Sequence, residues 1–117
     1  MIRVRRVYDL PSKEDGYRVL VDRLWPRGVS KSDAQIDEWL KDVAPSDELR
    51  KWFGHEPARW NRFKSRYFQE LAKKTALLEQ LRAKESTSGV VTLLYGAKDQ
   101  QHNNAVALKE YLDEHAK

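Results

Sequence analysis

A chain of 117 residues, 40% apolar and 34% charged, can bury one core but not two, so a single domain over 1–117 is expected. Cysteine is absent, which excludes disulfides, thiolate nucleophiles and zinc sites built on sulfur. The net charge of +4 favours anionic partners or serves solubility alone, and no apolar run is long enough to span a membrane.

The segment "IRVRRVY" reads as a first strand, rich in β-branched and aromatic residues. Its basic start lacks a long apolar run and a small-residue cleavage site, so no signal peptide and no membrane partner are expected, and a cytoplasmic protein is. Pro11, Ser12, Asp15 and Gly16 supply turn chemistry. In "YRVLVDRLW", Val19, Leu20 and Val21 are consecutive and apolar, which predicts an interior strand covered on both faces.

The next stretch, Ser30 to Ser46, reads either as a helix, through Ile36, Trp39 and Leu40, or as a short strand ending before Val43. Ser46 suits a helix N-cap, with Asp47 and Glu48 in the first turn and Gly54 as the stop. Pro57 opens a further helix, in which Trp60, Phe63, Tyr67 and Leu71 form an apolar stripe expected to be core. Leu78 and Leu81 continue the pattern, in the same helix or after a break, and "STSG" is expected to separate it from a second interior strand, "VVTLLY". A loop "GAKDQQHN" and a closing helix "NAVALKEYLDEH" complete the chain. The fold class expected is α/β, a small mixed or parallel sheet covered by helices.

Two stretches carry more polar chemistry than a core requires. "VDRLWPRG" places Asp22, Arg23 and Arg27 at the end of the first interior strand, and "YGAKDQQHNN" follows the second. In open α/β sheets ligands gather outside the carboxyl ends of strands, so parallel, neighbouring strands would bring these loops into one cleft. Arginine grips phosphate or carboxylate with a planar fork, and a helix start offers free N–H groups to an anion. The candidate ligand-binding residues are therefore Asp22, Arg23, Arg27, Lys98 and Asn103, with His102 as general acid or base beside Asp99.

Plainer roles stand beside these. Asp22 and Arg23 would form an internal ion pair, Asp99 or Asn103 would cap the last helix, and Lys98 would be solvated. Of four tryptophans, Trp39 and Trp60 are expected in the core and Trp25 at a site wall or an interface. His55 is expected as a cap or surface residue. No histidines and carboxylates stand at a diagnostic metal spacing, the stretch after Gly96 is not a Walker motif, any cofactor is left open, and no G-x-S-x-G turn surrounds a serine.

The motifs "VLVDRLWPRG", "WLKDVAPSDELRKWFGHEPARW" and "TLLYGAKDQQHNNAVAL", in this order and across almost the whole chain, resemble the short YeaO-like proteins of the family called domain of unknown function 488. The resemblance implies a small cytoplasmic α/β domain and no established activity. Longer relatives carry a Cys-His-Arg group at the start of the last helix, whereas this chain reads His102, Asn103, Asn104, so cysteine chemistry does not carry over. What carries over is the position of the polar motifs, at Asp22, Arg23, Arg27, Tyr95, Lys98, Asp99, His102 and Asn103. The reading that follows is a cleft for a phosphate- or nucleotide-like anion, whether or not catalysis accompanies binding. The competing reading is a non-enzymatic module for nucleic acid or a protein partner, built on Arg3, Arg5 and Arg6.

Overall fold

The computed structural model describes residues 1–116. Strands β1 (Ile2–Arg6), β2 (Tyr17–Leu20), β3 (Glu38–Trp39) and β4 (Val91–Tyr95) form one sheet in the order β1-β4-β2-β3, every pair parallel. The two strands read as interior, β2 and β4, are the central pair, and every residue of β4 is buried. Consecutive apolar residues are what a strand packed on both faces requires.

Helices α1 (Asp47–Phe53), α2 (Trp60–Leu71), α3 (Thr75–Ser88) and α4 (Asn104–Glu114) contribute to the core on one face of the sheet. Leu49, Phe53, Phe63, Tyr67, Leu71, Leu81 and Leu108 meet Val19, Val91 and Leu93 there. The other face is covered by a loop. Ala34 and Ile36, with Trp25 and Val29, lie over Val7, Leu20 and Leu94. No helix among the described residues is long and apolar enough to cross a membrane.

Local chemistry sets the helix ends. The Ser46 hydroxyl accepts from the Leu49 amide at 3.2 Å, and Gly54 closes α1 in the left-handed conformation with φ 54°. Ser46 also donates twice to the Glu70 carboxylate, at 2.8 and 2.6 Å, which fastens the start of α1 to α2. Pro57 opens a 3-10 turn, Pro57–Arg59, that runs into α2. Of the α2 stripe, Phe63, 2% exposed, and the sealed Tyr67 and Leu71 are core as expected, whereas Trp60, at the first residue of the helix, is only half-buried and packs against that core from its margin.

The structure corrects two expectations. Ser86 to Ser88 belong to α3, because Thr87 bonds back to the Ala83 carbonyl at 2.9 Å and the helix stops only at Gly89. Trp39 is 37% exposed, because the ambiguous segment is a two-residue strand at the sheet edge rather than a helix.

The arginines of β1 are drawn inward. Arg5, Arg3 and the buried Arg18 converge on the sealed Asp15, with Arg5 at 2.8 Å and Arg3 at 3.4 Å. Burial pushes the Asp15 carboxyl up, but the Ser12 amide and the guanidiniums of Arg5 and Arg18 outweigh it and hold the group below the ordinary range. Arg6 donates to the Ala97 carbonyl at 2.9 Å and lies over the Tyr8 ring. The basic start of the chain is thus held in internal contacts.

Candidate functional site

Because β2 and β4 are adjacent and parallel, their carboxyl ends open side by side. Asp22 leaves β2 and turns its Oδ2 to the Gly96 amide at 2.8 Å, joining the two strand ends. Asn104, the first residue of α4, donates to the Val21 carbonyl at 2.9 Å. Burial pushes the Asp22 carboxyl above the ordinary aspartate range, against the lowering influence of the Gly96 amide, the Asn104 side chain and nearby His55.

A cleft of about 360 Å³ lies over this junction. Tyr8, Leu24, Trp25 and Pro26 line it from the loops after β1 and β2. Arg50, Lys51, Phe53, Gly54 and His55 line it from the end of α1, and His102, Asn103 and Asn104 from the start of α4. Arg23 adds a third fixed cation, and Asp22 is the sole carboxylate among the described lining residues.

Each expected site residue has a definite place. Asp22, Arg23, His102 and Asn103 line the cleft together. Arg23 donates to the Pro45 carbonyl at 3.0 Å and the Ala44 carbonyl at 3.3 Å, so it also clamps the segment before α1. Asp22 and Arg23 are therefore partnered separately, rather than forming the internal ion pair. Asn103 caps α4, its Oδ1 accepting from the Val106 amide at 2.9 Å. Asp99 lies outside the lining but holds His102, with Oδ2 2.9 Å from Nδ1 and Oδ1 accepting from the His102 amide at 3.0 Å. The Asp99 carboxyl is held below its ordinary range by the Gln101 amide and by His102. Tyr95 is buried in the core, where desolvation pushes its phenol up. Arg27 and Lys98 are exposed and stand outside the lining.

The polar lining residues that the sequence did not single out include Arg50, Lys51, Tyr8 and Asn104, while His55 was read as a cap or surface group. Arg50 and Lys51 look like ordinary last-turn cations of a capped helix. Nothing local marks them. His55 is marked only by the structure, where the residue after the left-handed glycine stop is itself at φ 58°, uncommon outside glycine.

With Nδ1 facing Asp99, the His102 ring, whose edge or face also meets Trp60 at 5.3 Å between centroids, is fixed in orientation, and Nε2 has no hydrogen-bond partner among the described residues. The cations can hold an anion. The described lining contains no serine, threonine or cysteine that could act as a hydroxyl or thiol nucleophile.

The family model described as the "Inactive DUF488-N3 subclade" matches residues 1–117. The chain belongs to this family. The DUF488-N3 protein is 44% identical over 111 residues to "Uncharacterized protein YeaO" of Escherichia coli (strain K12), a match covering 95% of this chain and 96% of that one. It is 45% identical over 112 residues to "Uncharacterized protein Rv3073c" of Mycobacterium tuberculosis (strain ATCC 25618 / H37Rv), covering 96% and 93%. "Uncharacterized protein Mb3100c" of Mycobacterium bovis (strain ATCC BAA-935 / AF2122/97) is similar to the same extent, 45% over 112 residues. No solved structure matches the DUF488-N3 chain significantly. The resemblance read from the motifs is therefore a family membership that extends over the whole sequence.

Proposed function

We propose that the DUF488-N3 protein binds a phosphate-bearing small molecule in the cleft at the ends of β2 and β4. The observation that carries this reading is the convergence of Arg23, Arg50 and Lys51 on a concave site whose described lining has one carboxylate, Asp22. Arg50 and Lys51 are paired with exposed Asp47, at 2.7 and 3.1 Å. Such exposed pairs are weak and exchange readily for an incoming anion. The word "inactive" in the family description favours binding over catalysis. The internal contacts of Arg3 and Arg5 weigh against a nucleic-acid surface built on β1. The cytoplasmic location expected from a cysteine-free sequence is part of the same proposal.

A thermal-shift titration with inorganic phosphate tests it. A ligand at a hundred times its Kd stabilises the native state by about 2.7 kcal/mol, which is readily measured. Phosphate is expected to raise the Tm of the wild type, and much less that of Arg50→Ala and Lys51→Ala. An equal shift in all three would remove the cleft from consideration.

A second reading is favoured by one observation, the Asp99–His102 pair, which would let Nε2 act as a general acid or base on the bound molecule. Turnover of a phosphorylated compound that disappears in His102→Gln, with binding retained, would establish it.

A further inference from the structure

We infer that the molecule held in this cleft is a mononucleotide, with its phosphate at Arg50 and Lys51 and its base beside Trp25. This rests on the anion-binding reading and narrows its ligand. The lining carries two chemistries, cationic at Arg50 and Lys51 on α1 with Arg23 after β2, and aromatic at Tyr8 and Trp25 in the loops after β1 and β2 with Phe53 and Phe63 on α1 and α2. A bare phosphate needs only the first. A planar, apolar group carried on the same molecule uses both.

The aromatic side is held in place before any ligand arrives. Trp25 donates its Nε1–H to the Val29 carbonyl at 2.7 Å and meets the Trp39 ring edge-on at 5.3 Å. Trp39 is itself anchored on the Asp22 carbonyl at 2.7 Å. The Tyr8 hydroxyl donates to the Arg27 carbonyl at 2.9 Å, and Arg6 lies 5.0 Å from the centre of its ring. Rings fixed in this way lose little freedom when a base stacks on them.

Asp22 adds an acceptor to this lining. A carboxylate repels phosphate, so a site for a bare anion gains nothing from one. A ligand with N–H or O–H donors does gain, because a partly desolvated carboxylate accepts strongly. A base with an amino group, or a ribose, has such donors. Gly96 keeps the approach open. A Cβ built there would stand 3.3 Å from Asp22 Oδ2, 3.7 Å from Pro26 and 3.9 Å from Tyr8. The cleft volume of about 360 Å³ lies at the lower end of small-molecule sites, room for one nucleotide rather than two.

The test is isothermal titration of the wild-type chain with the four ribonucleoside 5′-monophosphates, their nucleosides, ribose 5-phosphate and inorganic phosphate. At least one monophosphate is expected to bind about tenfold or more tightly than its nucleoside, through the phosphate, and than ribose 5-phosphate, through base stacking. Trp25→Ala is expected to erase the advantage over ribose 5-phosphate. Trp25 also packs in the loop-covered core, so Tyr8→Ala, at an exposed ring, is the second variant and is expected to reduce the same advantage. If ribose 5-phosphate or phosphate binds as tightly as every nucleotide, this inference falls and the anion site stands. If no anion binds, or nucleosides bind as well as nucleotides, both readings fall.

Discussion

The carboxylate of Asp22 and the amide of Gly96, 74 residues apart in sequence, are 2.8 Å apart in the fold and tie the end of β2 to the end of β4. Burial raises the Asp22 carboxyl above its ordinary value of 3.8, so the folded chain holds this proton more tightly than the unfolded one. Stability therefore falls as pH rises from the ordinary aspartate value through the raised one. Asp22→Asn keeps an oxygen for the Gly96 amide and removes the ionisation. It is expected to be at least as stable as the wild type at pH 7, with the difference vanishing once both are neutral in acid. Asp22→Ala strands a half-buried amide and should cost about 1 kcal/mol. Urea unfolding at both pH values checks this, and an Asp22→Asn variant less stable at pH 7 would refute it.

Asp15 and Arg18 present the opposite sign. The Asp15 carboxyl is held below the ordinary value of 3.8, so its stabilisation is fully present above that value and is lost as pH falls through the lowered one. Asp15→Ala leaves the buried Arg18 with only the Ala34 and Gln35 carbonyls, and should cost about 3 kcal/mol at pH 7. Asp15→Asn should lose less stability than the wild type on acidification. Denaturant melts across the acid range measure both.

Gly16 is expected to be among the least replaceable residues. Its φ is +62°, and a Cβ there would stand 2.3 Å from the Val90 carbonyl oxygen, which accepts from the Tyr17 amide. Gly16→Ala must move backbone and should cost about 3 kcal/mol or more. Gly28 has φ +75° with nothing within 4 Å of its added Cβ, so Gly28→Ala should cost only the conformational strain, about 1 kcal/mol. Similar losses in the two variants would contradict the steric argument.

Phe63 is 2% exposed and stacks on Phe53 with 4.4 Å between ring centres. Truncation to alanine should cost about 3–5 kcal/mol by lost transfer and cavity formation. A loss below about 1 kcal/mol, the range of surface changes, would show that the stripe is not packed as described.

Arg50 and Arg27 separate a cleft cation from a loop cation. Arg50 lines the cleft and Arg27 is exposed outside the lining. Arg50→Ala is expected to weaken phosphate binding about tenfold, as loss of a charge-assisted hydrogen bond does. Arg27→Lys and Lys98→Ala should stay within about twofold, since distant exposed charges are screened. Titration of the three variants decides, and a large loss in Arg27→Lys would place the anion in the β2 loop instead.

Elements whose signals lie within a few residues are legible in the chain alone. Val19 and Leu20 and the segment Val91–Tyr95 lie in interior strands because runs that are almost wholly apolar suit a sheet covered on both faces. Ser46 and Gly54 bound α1 by their own cap chemistry, and residues 60, 63, 67 and 71 face the core because a helix repeats every 3.6 residues. Local pattern was silent on adjacency. Only the tertiary structure decided that β4 inserts between β1 and β2, which sets Gly96 against Asp22, and that the last turn of α1 brings Arg50 and Lys51 to the same cleft. It also decided that Arg3 and Arg5 turn to Asp15 and that Trp39 sits at an edge. A cation at the end of a helix and a cation in a binding site have the same local sequence, and what distinguishes them is the strand order, chosen by burial summed over residues far apart in the chain.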